Sequence, residues 1–582
     1  MLDKLNYLIA ICLRSPSPRF FAFMGLPKST LAWLAVSLVT QVAAQTVSPD
    51  NVLTADEQAS RFLAQATFGP STESIAELRA LNYNYSTWID REMAKPATLA
   101  APLALAAKTS GQITSITAPY NRRARNQVMI SGSDQLRQRV AYALSQIFVI
   151  SDNSSVIYNA EQGSSSYYDM LLRNSFGTFR QLLLEVTYHP MMGRYLTHYQ
   201  NRKANLTTGT RPDENYAREI MQLFTIGLYQ LDAAGNYIND STGRPLESYT
   251  NNQIMEMARV FTGFTTEDFN PNAVGTGTGQ LDFPRITTQN YTAPMKMWDK
   301  QHDMGAKTLL DYPGVRKRDL PANQTGMQDV SDAIDNLVEH PSVGPYISRL
   351  LIQRLVTSNP SEGYMRRVAA IFANNGRGQR GDLAAVIKAI LLDSEARSLS
   401  MIVDPEHGKL NEPVLRFTAL LRAFKYKVPT TLLPFDFVGA ATENTLGQYP
   451  LSAPSVFNFY LPDYEPQGVI GTSGLVGPEF QILNAVYGIS TPNLFYNLIY
   501  TTAGSFSLDF TPQATLATGA MIDNIDLLLT HGMMSSATRA QITTAVDSIT
   551  AAMVPSGSTL ALTKVRQAIY LTVISPDCAV LK

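Results

Sequence analysis

The sequence predicts a mainly α-helical protein that contains only short β-hairpins. In most of the chain, apolar residues recur every three or four positions, which is the period of an amphipathic helix. Signals that begin a helix accompany several of these segments, whereas the alternating pattern of a β-strand is rare. Hydrophobic residues make up 45% of the chain, so we expect the helices to enclose a large buried core.

The composition argues against a nucleic-acid-binding protein and against a thiolate metal cluster. The chain has 47 Lys and Arg residues and 48 Asp and Glu residues, which leaves no basic excess for a nucleic acid. The two cysteines, Cys12 and Cys578, lie near opposite ends of the 582 residues, so neither has a second thiolate nearby in sequence. The length alone gives an expectation of roughly three or four domains.

Residues 1–44 contain the parts of a secretory signal peptide. Lys28 precedes the apolar run Leu31–Val39, and small residues occupy Val42 and Ala44, the −3 and −1 positions of a cleavage site after Ala44. The run is shorter than the ~20 apolar residues that a membrane-spanning helix needs. The alternative is a buried N-terminal helix.

The position of this signal favours a protein start at Met24, because the preceding residues contain arginines and prolines and do not belong to a signal peptide. We therefore expect the mature protein, residues 45–582, to be periplasmic or secreted. No later segment is apolar over a length that could span a bilayer.

Further helices are expected in order along the chain. Thr54 and Glu57 have the spacing of a capping box, in which each side chain bonds to the other residue's backbone N–H, and they begin the first helix. Later helices are predicted at Leu136–Ile150, Val330–Val338, Tyr346–Leu355, Asp382–Leu392 and Lys564–Val573.

The best strand candidate is a hairpin that joins Met295–Trp298 to Lys307–Leu310 through a turn at 302–305. Two flexible connections are predicted from composition. Ala97–Ser115 is rich in Ala, Ser and Thr, and Asn272–Gln280 is rich in Gly and Thr.

The segment Arg211–Gly227 carries the densest set of polar groups on an amphipathic helix. Thr210 is the expected N-cap, with Pro212 in the first turn, and Gly227 is placed to end the helix. Its apolar face carries Tyr216, Ile220, Leu223 and Phe224.

The polar face of the same helix combines an amide, a guanidinium and carboxylates. Asn215, Arg218, Glu219 and Gln222 share this face, and Glu214 lies four residues before Arg218. Such a cluster fits either a functional site or a buried hydrogen-bond network that fixes helix packing.

A second polar group of residues follows the next helix, which Thr250 and Gln253 begin with another capping box. His302, Asp303 and Lys307 lie within six residues at a turn, where they offer a base, an acid and an electrophile. The alternative is turn chemistry alone, because Asp is common in turns.

Several stretches of the chain resemble the bacterial family known as "domain of unknown function 1800". The resemblance rests on Arg61–Gly69, on Glu214-Asn-Tyr-Ala-Arg-Glu219 with Leu223-Phe-Thr225 and Gly227, on Ala258–Gly263, on His302-Asp303-x-Gly305-x-Lys307, on His340-Pro341, and on Gly447-Gln448 with Pro454–Phe457. It covers nearly the whole mature chain and implies one continuous domain over residues 45–582.

The resemblance also implies export and frequent encoding beside a secreted sulfatase-like family, which is the expected partner. It implies no reaction. The chain departs from the family at Gln222, where an acid is common, and at Ala143–Phe148, where many members have a Trp-His-x-x-Phe pattern and this chain has no histidine.

Two functions are compatible with the sequence. In the first, Glu219, His302 and Asp303 are catalytic residues of an extracytoplasmic hydrolase or lyase for a polymer or an ester, and Glu214, Asn215, Arg218 and Lys307 bind its substrate. A hard divalent cation on carboxylate oxygens is compatible with this chemistry, but the sequence identifies neither a metal nor a cofactor. In the second, the protein is a non-catalytic secreted scaffold or assembly partner for cell-surface material.

Overall fold

The computed structural model describes residues 53–267, 283, 290–426, 443–500 and 507–582. The signal peptide predicted within residues 1–44 and the flexible connection predicted at Asn272–Gln280 lie outside these residues. Within them, the protein is mainly α-helical with short two-stranded sheets, as the sequence predicts.

The first half of the chain forms twelve helices in the described residues. Their bounds are α1 Ala55–Ala66, α2 Thr72–Ala80, α3 Tyr85–Ala94, α4 Ala100–Thr109, α5 Ala118–Ser131, α6 Gln135–Ser145, α7 Ser155–Tyr158, α8 Gly163–Asn174, α9 Phe179–Tyr188, α10 Pro190–Tyr195, α11 Asn215–Gln222 and α12 Asn251–Val260.

The second half adds fifteen helices, all counted over the described ranges. Their bounds are α13 Gly326–Glu339, α14 Val343–Leu355, α15 Glu362–Ala373, α16 Leu383–Leu392, α17 Ser394–Arg397, α18 Ser400–Val403, α19 Pro413–Ala423, α20 Glu443–Leu446, α21 Val469–Thr472, α22 Tyr487–Tyr500, α23 Thr511–Ala514, α24 Thr518–Leu529, α25 Ser536–Asp547, α26 Leu560–Ile574 and α27 Pro576–Ala579. Two 3₁₀ turns cover Pro478–Gln481 and Ala551–Met553.

Both predicted capping boxes are confirmed. At α1, Thr54 accepts from the backbone N–H of Glu57 while the Glu57 side chain accepts from the N–H of Thr54. Thr250 and Gln253 make the same reciprocal pair at α12. Each box satisfies two of the N–H groups that a helix start leaves without a helical partner.

The buried apolar side chains form one connected core from Ala59 to Cys578. Helix α8 lies at the centre of the N-terminal part, where α4, α5, α6, α9 and α10 pack around it. Eleven of its twelve residues are buried, which is expected of a helix that has neighbours on all sides. In the C-terminal part, α26 has the corresponding place among α22, α24 and α25.

The predicted hairpin between Met295–Trp298 and Lys307–Leu310 is wrong. Lys296–Met297 (β2) pairs with Phe264–Thr265 (β1), and Lys307–Thr308 (β3) pairs with Asp319–Leu320 (β4), both antiparallel. The two strands do not meet because the residues between them enter the interior, where His302 bonds to Thr262 and Asp329.

Two further local predictions are wrong. The segment predicted as a flexible connection at Ala97–Ser115 contains α4, because alanine is the strongest helix former and four alanines of this helix are buried. The motif helix α11 begins at Asn215 and not after Thr210, because Thr210 is held outside it by a backbone bond from Asn205.

A small arm of three short extended segments, joined by isolated β-bridges, precedes α12, and the strand pattern did not predict it. Gln230 donates its backbone N–H to Leu246, Leu246 donates to Ile238, and Ile238 donates to Gln230, so each segment bonds to the other two. Five large apolar side chains of this arm are more than a third exposed, namely Leu228, Tyr229, Tyr237, Ile238 and Leu246.

The two ends of the described chain meet. Lys409–Leu410 (β5) pairs with Val580–Leu581 (β6), and the Arg61 Nε of helix α1 donates to the main-chain oxygen of Lys582 at 2.6 Å. Among the described residues, no helix combines the length and the apolar character needed to cross a bilayer.

Candidate functional site

Helix α11 carries the polar face on which the sequence-based site prediction depends. The helix packs against α12, and its other face buries Tyr216, Ile220 and Phe224 in the core. The first N–H of the helix, that of Asn215, donates to the Asp213 carboxylate at 2.8 Å. An acid at this end also interacts favourably with the helix dipole.

Glu219 is the buried acid of this face. Glu219 is only 6% exposed, and its Oε2 has no hydrogen-bond partner among the described residues. Burial raises the pKa of the Glu219 carboxyl, and the nearby charge of Arg218 lowers it by less. A carboxyl with a raised pKa keeps its proton to a higher pH than an exposed glutamate does.

Two tyrosines lie close to Glu219. Burial raises the pKa of Tyr195 to about 12, and the Glu219 charge acts in the same direction. Burial also raises the pKa of Tyr249 to about 12, and the charges of Arg218 and Glu219 act on it in opposite directions. Both phenols therefore stay neutral hydrogen-bond donors at physiological pH.

The predicted substrate-binding residues of α11 form the exposed rim of this cluster. Arg218 pairs with Glu214 at 3.4 Å, and both side chains are just over 40% exposed. Asn215 is exposed and donates weakly to the Thr197 hydroxyl at 3.4 Å. Arg218 thus has Glu214 and not Glu219 as its ion-pair partner.

The second predicted cluster is buried around an aspartate that the sequence did not single out. Asp329, in the first turn of α13, has its Oδ2 2.6 Å from the Lys307 ammonium and 3.0 Å from Nε2 of His302. The Nδ1 of His302 lies 2.9 Å from the Thr262 carbonyl. His302 is fully buried and both of its ring nitrogens have protein partners.

Lys307 and Asp303 are also fully engaged. The Lys307 ammonium donates to Asp329 and to the carbonyls of Asp303 and Gly305, which uses its three protons. Asp303 makes a bidentate pair with Arg259, with both N–O distances 3.0 Å. Burial acts to raise the pKa of Asp303, but the bonds from Arg259 and Gly305 outweigh it and keep this pKa below its usual range.

The structure therefore brings the predicted residues together in two groups. Glu214, Asn215, Arg218 and Glu219 lie on α11, and His302, Asp303 and Lys307 surround Asp329. Helix α12 packs against α11 and also against β3 and α13, so it lies between the groups. Within the described ranges, no hydrogen bond or ion pair joins Glu219 to His302.

Sequence reasoning missed a third, fully buried polar network. Glu412 Oε2 accepts from the Tyr142 hydroxyl at 2.8 Å and from Gln146 Nε2 at 2.6 Å. The Lys409 ammonium lies 2.8 Å from Glu479 Oε1. Tyr142 and Gln146 lie more than 250 residues before the three charged residues of this network, so no spacing in the sequence could connect them.

The described part of the chain contains no group of three or more His, Cys, Asp or Glu side chains arranged to hold a metal ion. The side chains of the candidate site supply one buried carboxyl, two neutral phenols and a rim guanidinium.

These features define a large, mainly helical protein in which helix α11 carries a buried acid beside an exposed polar rim. The chain belongs to the family described as "Protein of unknown function (DUF1800)", whose model matches residues 61–580. This result confirms the resemblance seen in the sequence. No curated protein and no solved structure matches the chain.

Proposed function

We propose that this family member is an exported hydrolase or lyase that acts outside the cytoplasm on a polymer or an ester, with Glu219 as its general acid–base group. One observation carries the proposal, namely the buried carboxyl of Glu219, which has a raised pKa and no ion-pair partner among the residues that the structure describes. Carboxyls in this condition are concentrated at catalytic sites, because proton transfer needs a pKa close to the working pH.

The neighbours of Glu219 supply the other parts of such a site. Tyr195 and Tyr249 stay protonated and can donate to an oxygen that becomes negative during the reaction. Arg218 and Asn215, at the rim, can orient an anionic or hydroxyl-bearing substrate. Export is supported by the signal-peptide pattern before Gln45.

In this proposal His302, Asp303 and Lys307 position the site and do not touch the substrate. Their donors and acceptors are already used by Asp329, Arg259 and backbone carbonyls. The sequence-based prediction that His302 and Asp303 are catalytic together with Glu219 stays a prediction, and a His302→Gln variant assayed for its pH–rate profile tests it.

The test is a screen of the protein from Gln45 onward against a panel of esters and polysaccharides, with and without added divalent metals. We expect activity in the native protein and a loss of about 10²–10⁴-fold in Glu219→Gln, the usual contribution of a general acid–base group. Glu362→Gln is the matched control, since Glu362 is an exposed helical glutamate paired with Arg366. Full activity in a correctly folded Glu219→Gln protein overturns the proposal.

The exposed apolar arm at residues 228–248 supports the second candidate function, a non-catalytic secreted scaffold or assembly partner. The rings of Tyr229 and Tyr237 contact each other there, with 5.4 Å between their centroids, and exposed apolar side chains that group together are typical of a surface that contacts another protein. The expected partner is the secreted sulfatase-like protein that the family resemblance implies. Co-purification of the two proteins, lost on replacing Tyr229 and Tyr237 by Ser, favours this function over catalysis.

A further inference from the structure

A buried lysine lies between two buried glutamates in the network around Glu412. Lys409 belongs to β5, Glu412 directly precedes helix α19, and Glu479 lies in the 3₁₀ turn Pro478–Gln481. The Lys409 Nζ is 2.8 Å from Oε1 of Glu479 and 3.8 Å from Oε1 of Glu412. None of the three side chains is more than 1% exposed, so an amine and two carboxyls meet here away from bulk water.

Two backbone carbonyls fix the direction of the Lys409 amine. Its Nζ donates to the carbonyl of Gln353 at 2.8 Å and to that of Arg354 at 2.9 Å. The remaining position of the nitrogen is directed at Glu479, which also accepts from it. That position holds a proton in the ammonium and the lone pair in the neutral amine. A neutral amine held in this way has its lone pair beside the Glu479 carboxyl, as attack on the carboxyl carbon requires.

The two glutamates differ in how readily they take up a proton. Burial raises the pKa of Glu479, and the charge of Lys409 lowers it by less. Burial also acts to raise the pKa of Glu412, but the charges of Lys409 and Arg139 outweigh it and keep this pKa below its usual range. Glu479 is therefore the acid of the pair and Glu412 the base, which is the division that proton transfer between two carboxyls needs.

The oxygen of Glu412 that lies near the amine is the one without another bond. Oε2 of Glu412 accepts from the Tyr142 hydroxyl at 2.8 Å and from Gln146 Nε2 at 2.6 Å. Oε1 has no hydrogen-bond partner among the described residues, and it is this atom that lies 3.8 Å from the Lys409 Nζ. Glu412 is thus held at one oxygen and can receive a proton from the amine at the other.

We propose that the side chains of Lys409 and Glu479 condense to an isopeptide bond and that Glu412 moves the protons. Glu412 takes one proton from the ammonium, and the neutral Nζ attacks Cδ of the protonated Glu479 carboxyl. The Cδ–OH bond then breaks, and the hydroxyl leaves as water with the proton that Glu412 returns. Glu412 finally takes the excess proton of the new amide nitrogen. The reaction consumes no oxidant and no cofactor, and its products are an amide and one water molecule.

The buried position of the pair favours the amide. A buried ion pair has lost the hydration of both charges and regains only part of it by attraction, whereas an amide carries no charge. The ion pair and the amide have the same net charge, so the reaction leaves the charge balance with Arg139 and Glu412 unchanged. Hydrolysis of the amide needs water at a place that bulk water does not reach.

The bond would join β5 covalently to the turn that contains Glu479. A cross-link of this kind restricts the unfolded chain, as a disulfide does. The chain has two cysteines, Cys12 and Cys578, and the predicted cleavage after Ala44 removes one of them. An isopeptide bond therefore gives an exported chain the covalent link that disulfides usually provide outside the cytoplasm. The inference is independent of whether Glu219 is catalytic.

Intact-mass spectrometry of the denatured protein from Gln45 onward tests the proposal. We expect the native protein to be lighter than its sequence mass by one water molecule. Trypsin needs a charged side chain, so it should fail to cleave after Lys409, and fragmentation of the joined peptides should place the bond between Lys409 and Glu479. A protein with its full sequence mass, or a loss of water located at other residues, overturns the proposal.

Glu412→Gln removes the base and keeps the size of the side chain. This variant should retain the water and should be cleaved by trypsin after Lys409, with a circular dichroism spectrum like that of the native protein. A folded Glu412→Gln protein that still loses the water overturns the role of Glu412. The mass of the native protein decides whether the bond forms even where the variant does not fold.

The buried pair Lys307–Asp329 is the matched control within the same chain. Its two atoms are 2.6 Å apart and each side chain is 1% exposed, but within the described ranges Lys307 has no ion pair with a second acid. Trypsin should therefore cleave after Lys307 in the same digest. A cross-link at both pairs overturns the role of Glu412, because burial beside one carboxyl would then be enough.

Discussion

Lys307 and Asp329 form an ion pair in the interior of the protein, with 2.6 Å between the ammonium nitrogen and Oδ2 and only 1% of each side chain exposed. Because His302 also contacts Oδ2 of Asp329, this one carboxylate holds the His302–Lys307 turn against α13. The turn that the sequence marked as a candidate site is thus tied to a helix that begins about twenty residues later.

Asp329→Asn should destabilise the protein by about 3–5 kcal/mol, the cost of leaving a buried charge without its partner. Urea unfolding measures the effect. Asp90→Asn is the control, because the Asp90–Lys388 pair is exposed and such pairs contribute about 0–1 kcal/mol. Similar urea midpoints for the two variants would contradict the conclusion that Asp329 stabilises the His302–Lys307 turn.

Glu219→Gln should leave the melting temperature unchanged or raise it slightly. In the described part of the chain Glu219 has no ion-pair partner to lose, since Arg218 pairs with Glu214, and the substitution removes a carboxylate that burial disfavours. Differential scanning calorimetry checks this. A large fall in melting temperature would instead indicate that Glu219 holds a packing network together.

Gly263→Ala should destabilise the protein by about 2–4 kcal/mol. Gly263 has a φ of +95°, and a Cβ there would come within 3.0 Å of the backbone of Trp298 and His302. Gly243, at φ +82° with open space around it, is the control, and its alanine variant should lose only about 1–2 kcal/mol. Equal losses would show that the close approach at Gly263 is not important.

Asp169 should make the stability of the protein depend on pH. Burial raises the pKa of Asp169 to about 6, although the N–H groups of Ala100 and Ala101 oppose this shift. The pKa of Asp169 is higher in the folded protein than its unfolded value of 3.8, so protonation of this carboxyl stabilises the folded state. The stabilisation is complete below about pH 3.8 and is lost as the pH rises through 6.

The free energy of unfolding of the native protein should therefore fall by up to about 1.4 kcal/mol per pH unit in that window, relative to Asp169→Asn. Chemical unfolding of both proteins between pH 4 and pH 7 gives the difference. A difference that stays constant across this range would contradict the prediction.

Export can be tested apart from the fold. Residues 24–50, fused to a periplasmic reporter, should carry it out of the cytoplasm with cleavage after Ala44. Mass spectrometry of the exported protein gives its first residue. A first residue before Met24 would contradict both the start site and the signal peptide.

The helices were predictable because their signals are local. The capping boxes at Thr54 and Thr250 depend on residues three positions apart, and the structure contains both. The strand pairs were not predictable in the same way. β2 pairs with β1 and β3 pairs with β4, and these pairings depend on the tertiary fold and not on a local turn sequence.

The candidate site could likewise be predicted only where local sequence signals determine it. The amphipathic pattern of α11 correctly separated its polar face from its buried Tyr216 face. The burial of Glu219 and the role of Asp329 depend on which helices pack against them, and an acid in the first turn of α13 has the pattern of an ordinary surface residue.

The bond from Arg61 to Lys582 spans 521 residues and has a consequence for synthesis. At the usual ~5–20 residues per second, a ribosome needs about half a minute to nearly two minutes to make the intervening chain. Helix α1 emerges first, but it cannot complete its packing until Lys582 has left the ribosome, so the bond between these two segments forms late.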